Sequence, residues 1–131
     1  MRNGFFVRLK PALELIDVTM DGRALAGNES LLSPRCEELR VTPVLAFVSP
    51  DAETQRGALD SFGMYDVAVV PEHWHSPADG LRTFESLIEL VEKEREWFRD
   101  PELLLEDLRR VKEILAQAES AGAEWNLDAE L

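Results

Sequence analysis

The sequence holds a single cysteine, Cys36, among its 131 residues. One thiol cannot close an internal disulfide, so nothing points to an oxidising compartment. Histidine is almost as scarce: His73 and His75 are the only two, which excludes a three-histidine metal site within one chain. The seven glycines are dispersed rather than clustered. There is no phosphate-cradling loop, no Gly-x-Ser-x-Gly nucleophile elbow and no Cys-x-x-Cys pair. Long apolar runs are missing too, and Arg8, Lys10, Glu14 and Asp17 interrupt every run near the start. That pattern suits neither a signal peptide nor a membrane span. Basic residues are outnumbered 14 to 26, for a formal net charge of −12. Such a charge repels nucleic acid and anionic lipid, whose recognition needs clustered Lys and Arg. The expectation is a cytoplasmic protein with no membrane or nucleic-acid partner.

What is present suffices for one globular domain spanning residues 1–131. Apolar residues make up 45% of the chain, typical of a folded protein, and a core of this size needs no metal or disulfide. The charge is uneven. Residues 1–75 carry 7 basic and 11 acidic side chains, net −4, and residues 76–131 carry 7 and 15, net −8.

Four pairs punctuate the chain: Ser33-Pro34, Ser49-Pro50, Ser76-Pro77 and Asp100-Pro101. Ser or Asp can cap the free N–H groups of a helix, and Pro suits the first helical position because it has no N–H to lose. Each pair therefore reads as a helix start. After Ser76, Leu81, Phe84, Ile88 and Val91 fall on one face, with Phe98 beyond, and Asp79 sits where a capping box places its acid. After Asp100, the stripe is Leu104, Leu108, Val111, Leu115 and Ala118, and Gly122 ends it. The short link predicts an antiparallel helix hairpin over 77–121.

Beyond Gly122 the period falls to two: Trp125, Leu127, Ala129 and Leu131 alternate with Asn126, Asp128 and Glu130. Near the start, Phe5, Val7 and Leu9 alternate with Phe6, Arg8 and Lys10. Both stretches predict strands with one buried face. The middle is harder to read. Residues 22–39 have a helical pattern through Leu25, Leu32, Cys36 and Leu39, with Pro34 expected to bend or restart it. Asp51 to Phe62 reads as a short helix ended by Gly63, and Val67 to Val70 as a buried strand or turn. Val44 to Val48 is too short to assign. The predicted fold is α+β and mostly helical, with the C-terminal hairpin packed on a small sheet of N- and C-terminal strands.

Three stretches carry a resemblance. Asp21-Gly22-Arg23-Ala24-Leu25-Ala26, the run from Leu39 to Phe47, and the run from Trp74 to Thr83 resemble the DGKALA, gvxPLxxF and WFxxxxGLxT stretches of a group of small uncharacterised bacterial proteins. The sequence departs from that pattern at Val44, where Leu is usual, and at His75, where Phe is usual. The resemblance implies a bacterial cytosolic protein and brings no activity with it.

Two places invite chemistry. In Glu72-His73-Trp74-His75, an extended backbone would put His73 and His75 on one side, where Glu72 or Asp79 could complete a metal site. Pro71 and Pro77 bracket the segment, which argues for a loop. Cys36 lies near a possible helix start that would favour thiolate, but it also fits the stripe of Leu32 and Leu39, as a buried inert thiol does. Glu85, Glu89, Glu92 and Glu96 follow helical spacing and form one exposed acidic stripe rather than a catalytic pair. Trp74, Trp97 and Trp125 suit core packing or helix-end anchoring, as large aromatics do in small cores; if Trp97 lies off the main apolar stripe, it is a surface aromatic of the kind that marks partner contacts. The leading expectation is a non-enzymatic protein-binding module. It would meet a basic protein through Trp97 and Glu85, Glu89, Glu92 and Glu96, with no cofactor, and an immunity or antitoxin-like protein is one example of this kind. The rival is a small metal binder or metal-dependent enzyme using His73, His75 and Glu72. Oligomeric state is left open.

Overall fold

A computed structural model describes residues 4–49, 52–69 and 71–130. Strand β1 (Gly4–Lys10) is followed by helix α1 (Arg23–Leu39), a 3₁₀ turn at Val44–Phe47 and helix α2 (Ala52–Ser61). Helix α3 (Pro77–Lys93), a short 3₁₀ turn at Arg95–Trp97, helix α4 (Pro101–Ala121) and strand β2 (Glu124–Glu130) complete it. The terminal strands pair antiparallel, Gly4 opposite Glu130 and Lys10 opposite Glu124. Helices α3 and α4 pack extensively on one another. The expected hairpin, the terminal sheet and the α+β class are all present. Leu131 and the Pro50, Asp51 and Val70 positions of the sequence reading lie outside the described residues.

The hairpin forms for the reasons its sequence gives. Ser76 caps α3, its Oγ accepting from Asp79 N at 3.3 Å, and Pro77 opens the first turn. The apolar faces of the two helices meet in a core of Phe84, Leu87, Leu104, Leu108, Val111, Ile114 and Leu115, all fully buried. Trp125 fills the space beneath α3, its ring 4.5 Å from that of Phe47 and 6.1 Å from that of Phe84, and its Nε1 donates to Ser76 O at 3.0 Å. Gly80 makes that possible: a Cβ there would lie 2.3 Å from Trp125 Cζ2.

Four local expectations need correction. Ser33-Pro34 does not start a helix, because α1 runs unbroken through Pro34. A proline removes one hydrogen-bond donor, and the buried face of Leu25, Leu32 and Cys36 outweighs that loss. Asp100 sits in left-handed backbone, φ 44°, and its side chain does not cap α4. Val67 is exposed and part of no strand. Finally, β2 is buried on both faces, since Asn126 and Asp128 are enclosed along with Trp125 and Leu127. The cause is the covering of β2's second edge. Val48 bridges Leu127 in parallel and His75 bridges Trp125 antiparallel. Trp74 then lies over the outer face, with the Arg8 guanidinium 5.2 Å from its ring centre.

Candidate functional site

The hairpin's connecting end carries Trp97, the aromatic that the sequence marked for partner contact. Helix α3 stops at Glu94, whose N–H still donates to Leu90 O at 2.9 Å, and the chain tightens into the turn Arg95–Trp97. Successive residues then face opposite ways. Phe98 enters the core, while Trp97 stays 66% exposed. Leu103, at the start of α4, is 55% exposed.

This end is firmly mounted. Asn28 of α1, itself buried, accepts from Arg99 N at 2.9 Å and donates to Arg99 O at 2.9 Å, so its amide pairs with the loop backbone as a strand neighbour would. It also donates to Ala24 O at 2.8 Å. Arg35 of α1 reaches Glu94 at 2.8 Å, and Arg95 pairs with Glu102 across the turn. An exposed aromatic on a braced turn loses little further entropy when a partner covers it.

The acidic stripe runs along α3 through Glu85, Glu89 and Glu92 only; the helix ends at Lys93, and Glu96 falls in the following 3₁₀ turn rather than continuing the helical stripe. Glu85, Glu89, Glu92 and Glu96 are all exposed. Glu89 meets Lys93 at 3.2 Å, and Glu92 lies 3.7 Å from Arg109. The four carboxylates point into water rather than converging in a cleft.

One carboxylate behaves otherwise. Asp107 of α4, only 6% exposed, accepts from Gly22 N at 3.2 Å and from Leu25 N at 3.0 Å. It caps α1 from a different helix, because the N-cap position itself is Gly22, which has no side chain to do so. Burial pushes the Asp107 carboxyl above its ordinary range, opposed by the N–H groups of Leu25 and Gly22 and assisted by nearby Asp21. A cleft of about 350 Å³ opens beside it, lined by Asp21, Arg23, Asn28, Arg99, Leu103 and Asp107. Sequence reasoning assigned Asp107 no role. The one available signal was its position flanking the stripe of Leu104, Leu108 and Val111.

The histidine segment is spread out. Glu72 is held by Arg8 at 2.9 Å, and the same guanidinium bonds Asp128 at 3.2 Å. His73 is exposed. Its backbone N–H donates to Ser49 Oγ at 2.9 Å, and its carbonyl accepts from Asn126 Nδ2 at 2.9 Å. His75 is half-buried and packs edge-on against Phe47, ring centres 5.0 Å apart. Among the described residues, no group of three or more His, Cys, Asp or Glu side chains is arranged to hold a metal ion. Cys36 is fully buried, and that burial pushes its thiol up, away from thiolate. Among the described residues, no helix is long and apolar enough to cross a membrane.

No protein-family model matches the chain, and no curated protein and no solved structure shows significant similarity to it. The resemblance noted above therefore rests on its three short stretches alone.

Proposed function

We propose that the protein is a binding module that engages a basic protein partner through the connecting end of its helix hairpin. Trp97 is the anchor, Leu103 extends the apolar contact, and the carboxylates of Glu85, Glu89, Glu92 and Glu96 attract and orient the partner. The observation that carries this reading is the 66% exposure of Trp97 on a turn pinned by Asn28. A large aromatic held out in water on a rigid mount is costly to keep and is the residue type that dominates binding hot spots. The net charge of −12 makes a positively charged surface the complementary one. An immunity- or antitoxin-like role against a basic toxin is one function of this type.

The test is quantitative capture on immobilised protein, wild type against Trp97→Ala and against a quadruple Glu→Gln variant of the stripe. The expected result is a basic protein retained by wild type, lost with Trp97→Ala, and released as salt rises, because exposed charge pairs are screened. A partner retained equally by Trp97→Ala would overturn the proposal. The rival proposal, an ion held by His73, His75 and Glu72, is decided by elemental analysis of the purified protein. Stoichiometric zinc, with a raised melting temperature on adding Zn²⁺, would favour it.

A further inference from the structure

The segment carrying α2 is an excursion from the body. Among the described residues, α2 makes no extensive contact with any other element. Yet the segment is locally ordered. Met64 N–H donates to Leu59 O at 2.8 Å around Gly63, which adopts φ +73°, and Val67 N–H donates to Met64 O at 3.3 Å. Arg56 then clasps the returning chain. Its Nη1 donates to Val67 O at 2.8 Å, its Nη2 to Met64 O at 2.9 Å and its Nε to Asp60 Oδ1 at 3.0 Å.

This ordering buries almost nothing. Phe62 is 81% exposed, Tyr65 69%, Met64 49% and Val67 45%. All four lie within six residues of chain, joined by two tight turns. A connection under no constraint but solubility is polar, whereas this one offers two aromatics, a methionine and a valine to water. The apolar area involved is on the order of 400 Å². That is about half of the ~800 Å² per partner of a stable interface, an area matched by one short helical segment rather than by a globular face. Two copies each carrying −12 would repel. The segment itself holds Glu53, Asp60 and Asp66 against the single base Arg56, and so favours cations interleaved with apolar groups.

We infer that residues 52–67 form a docking arm that takes a cationic amphipathic helix of a partner protein, with Phe62, Met64, Tyr65 and Val67 as the apolar contact and Glu53 and Asp66 as its acidic rim. Binding of this kind lays a helix's apolar stripe on an exposed apolar surface while its Lys and Arg meet flanking carboxylates. The surface is distinct in sequence from the Trp97 end and does not depend on it.

The experiment titrates the full chain with a labelled synthetic peptide of roughly 18 residues, Lys and Leu in helical amphipathic register. Wild type is compared with Phe62→Ser/Tyr65→Ser and with Trp97→Ala. Because Phe62 and Tyr65 are exposed, the double variant should melt with wild type, and circular dichroism checks this. The expected result is binding weakened at least tenfold in the double variant, unchanged in Trp97→Ala, and weakened again near 1 M salt, where the screening length is about 3 Å. Arg56→Gln, which loosens the clasp and leaves the aromatics in place, should weaken binding by a smaller factor. Equal affinity for wild type and double variant, absence of binding, or loss only with Trp97→Ala would each overturn the inference. So would Phe62-dependent binding to phosphatidylcholine vesicles, or a Phe62-dependent dimer by light scattering, since either assigns the arm to a different occupant.

Discussion

Asp107 offers the sharpest test of how this fold is held together. Its carboxylate accepts hydrogen bonds from Gly22 N and Leu25 N at a helix start with no side-chain cap of its own. Asp107→Ala strands those N–H groups where water has little access. Each stranded buried donor costs about 1–3 kcal/mol, but removal of a poorly solvated charge returns part of it. The net expectation is a loss of about 2–4 kcal/mol, or roughly 10 °C in melting temperature for a domain of this size. Asp107→Asn keeps one acceptor oxygen and should lose about 1–2 kcal/mol. The pH dependence separates this account from a generic packing defect. Because burial raises the folded-state pKa of Asp107, the native state binds more protons than the unfolded chain between the ordinary carboxylate value of about 3.9 and that raised value. The contribution of Asp107 is therefore fully present in acid and diminishes as pH rises through this window. The stability gap between wild type and Asp107→Asn should accordingly be wider near pH 4 than at pH 7. Urea unfolding followed by tryptophan fluorescence at several pH values measures the gap. A gap that widens with rising pH would mean that the N–H groups of α1 outweigh burial, and the reasoning would fail.

Other expectations follow from particular contacts. Gly80→Ala should destabilise by about 1–3 kcal/mol, because the new methyl lies 2.3 Å from Trp125 Cζ2 and 2.7 Å from Leu115 Cδ1; thermal melts check this, and a neutral result would show that the Trp125 ring moves freely. Asn28→Ala should cost about 2–3 kcal/mol and speed hydrogen exchange of the Arg99 amide specifically, since that N–H loses its acceptor; unchanged exchange there would remove the rigid-mount argument for Trp97. Cys36 should react with a thiol reagent only as fast as the protein opens, so mild urea should accelerate labelling in step with unfolding; fast labelling of the native protein would contradict its burial.

Much of this architecture could be read in advance because local and global signals agree. Ser76-Pro77 caps and starts α3 as its chemistry dictates, and the 3.6-residue stripes of α3 and α4 meet one another as amphipathic faces must. The alternation at both termini gave strands whose pairing the sequence alone left open, and the structure pairs them antiparallel. The failures share a cause: each depends on a contact distant in sequence. Nothing near Asn126 and Asp128 says that residues 72–75 will lie across them. Nothing near Asp107 says that Gly22 will leave a helix start uncapped 85 residues away. Pro34 was given its local meaning, and the packing of Leu32 and Cys36 overrode it. Within the candidate site, Trp97 was legible only in part, because helical spacing left open whether it anchors a helix end or faces water, and the turn at Arg95–Trp97 decides it. The arm was not, because Val67 to Val69 carries the composition of a buried strand.

Most polar groups inside the fold have a structural task, His75 Nε2 and Asn126 Oδ1 being buried without a hydrogen-bond partner among the described residues, and this directs attention outward. Asp107 caps α1, Asn28 pins the turn after Trp97, Thr83 donates to Thr42 O at 2.7 Å, and Arg8 joins Glu72 to Asp128. A buried group committed to backbone N–H groups cannot also be spent on a ligand without unravelling what it holds. The groups without such commitments are the reverse: exposed acids of α3, Trp97 at the hairpin end, and the apolar side chains of the arm. Apolar surface kept in water has no stabilising role in the isolated chain. Its retention at two separately braced places is what a protein that works by being covered requires. Substitutions at Trp97 and Phe62 should therefore leave folding intact while abolishing association, and the opposite pattern should hold at Asp107 and Asn28.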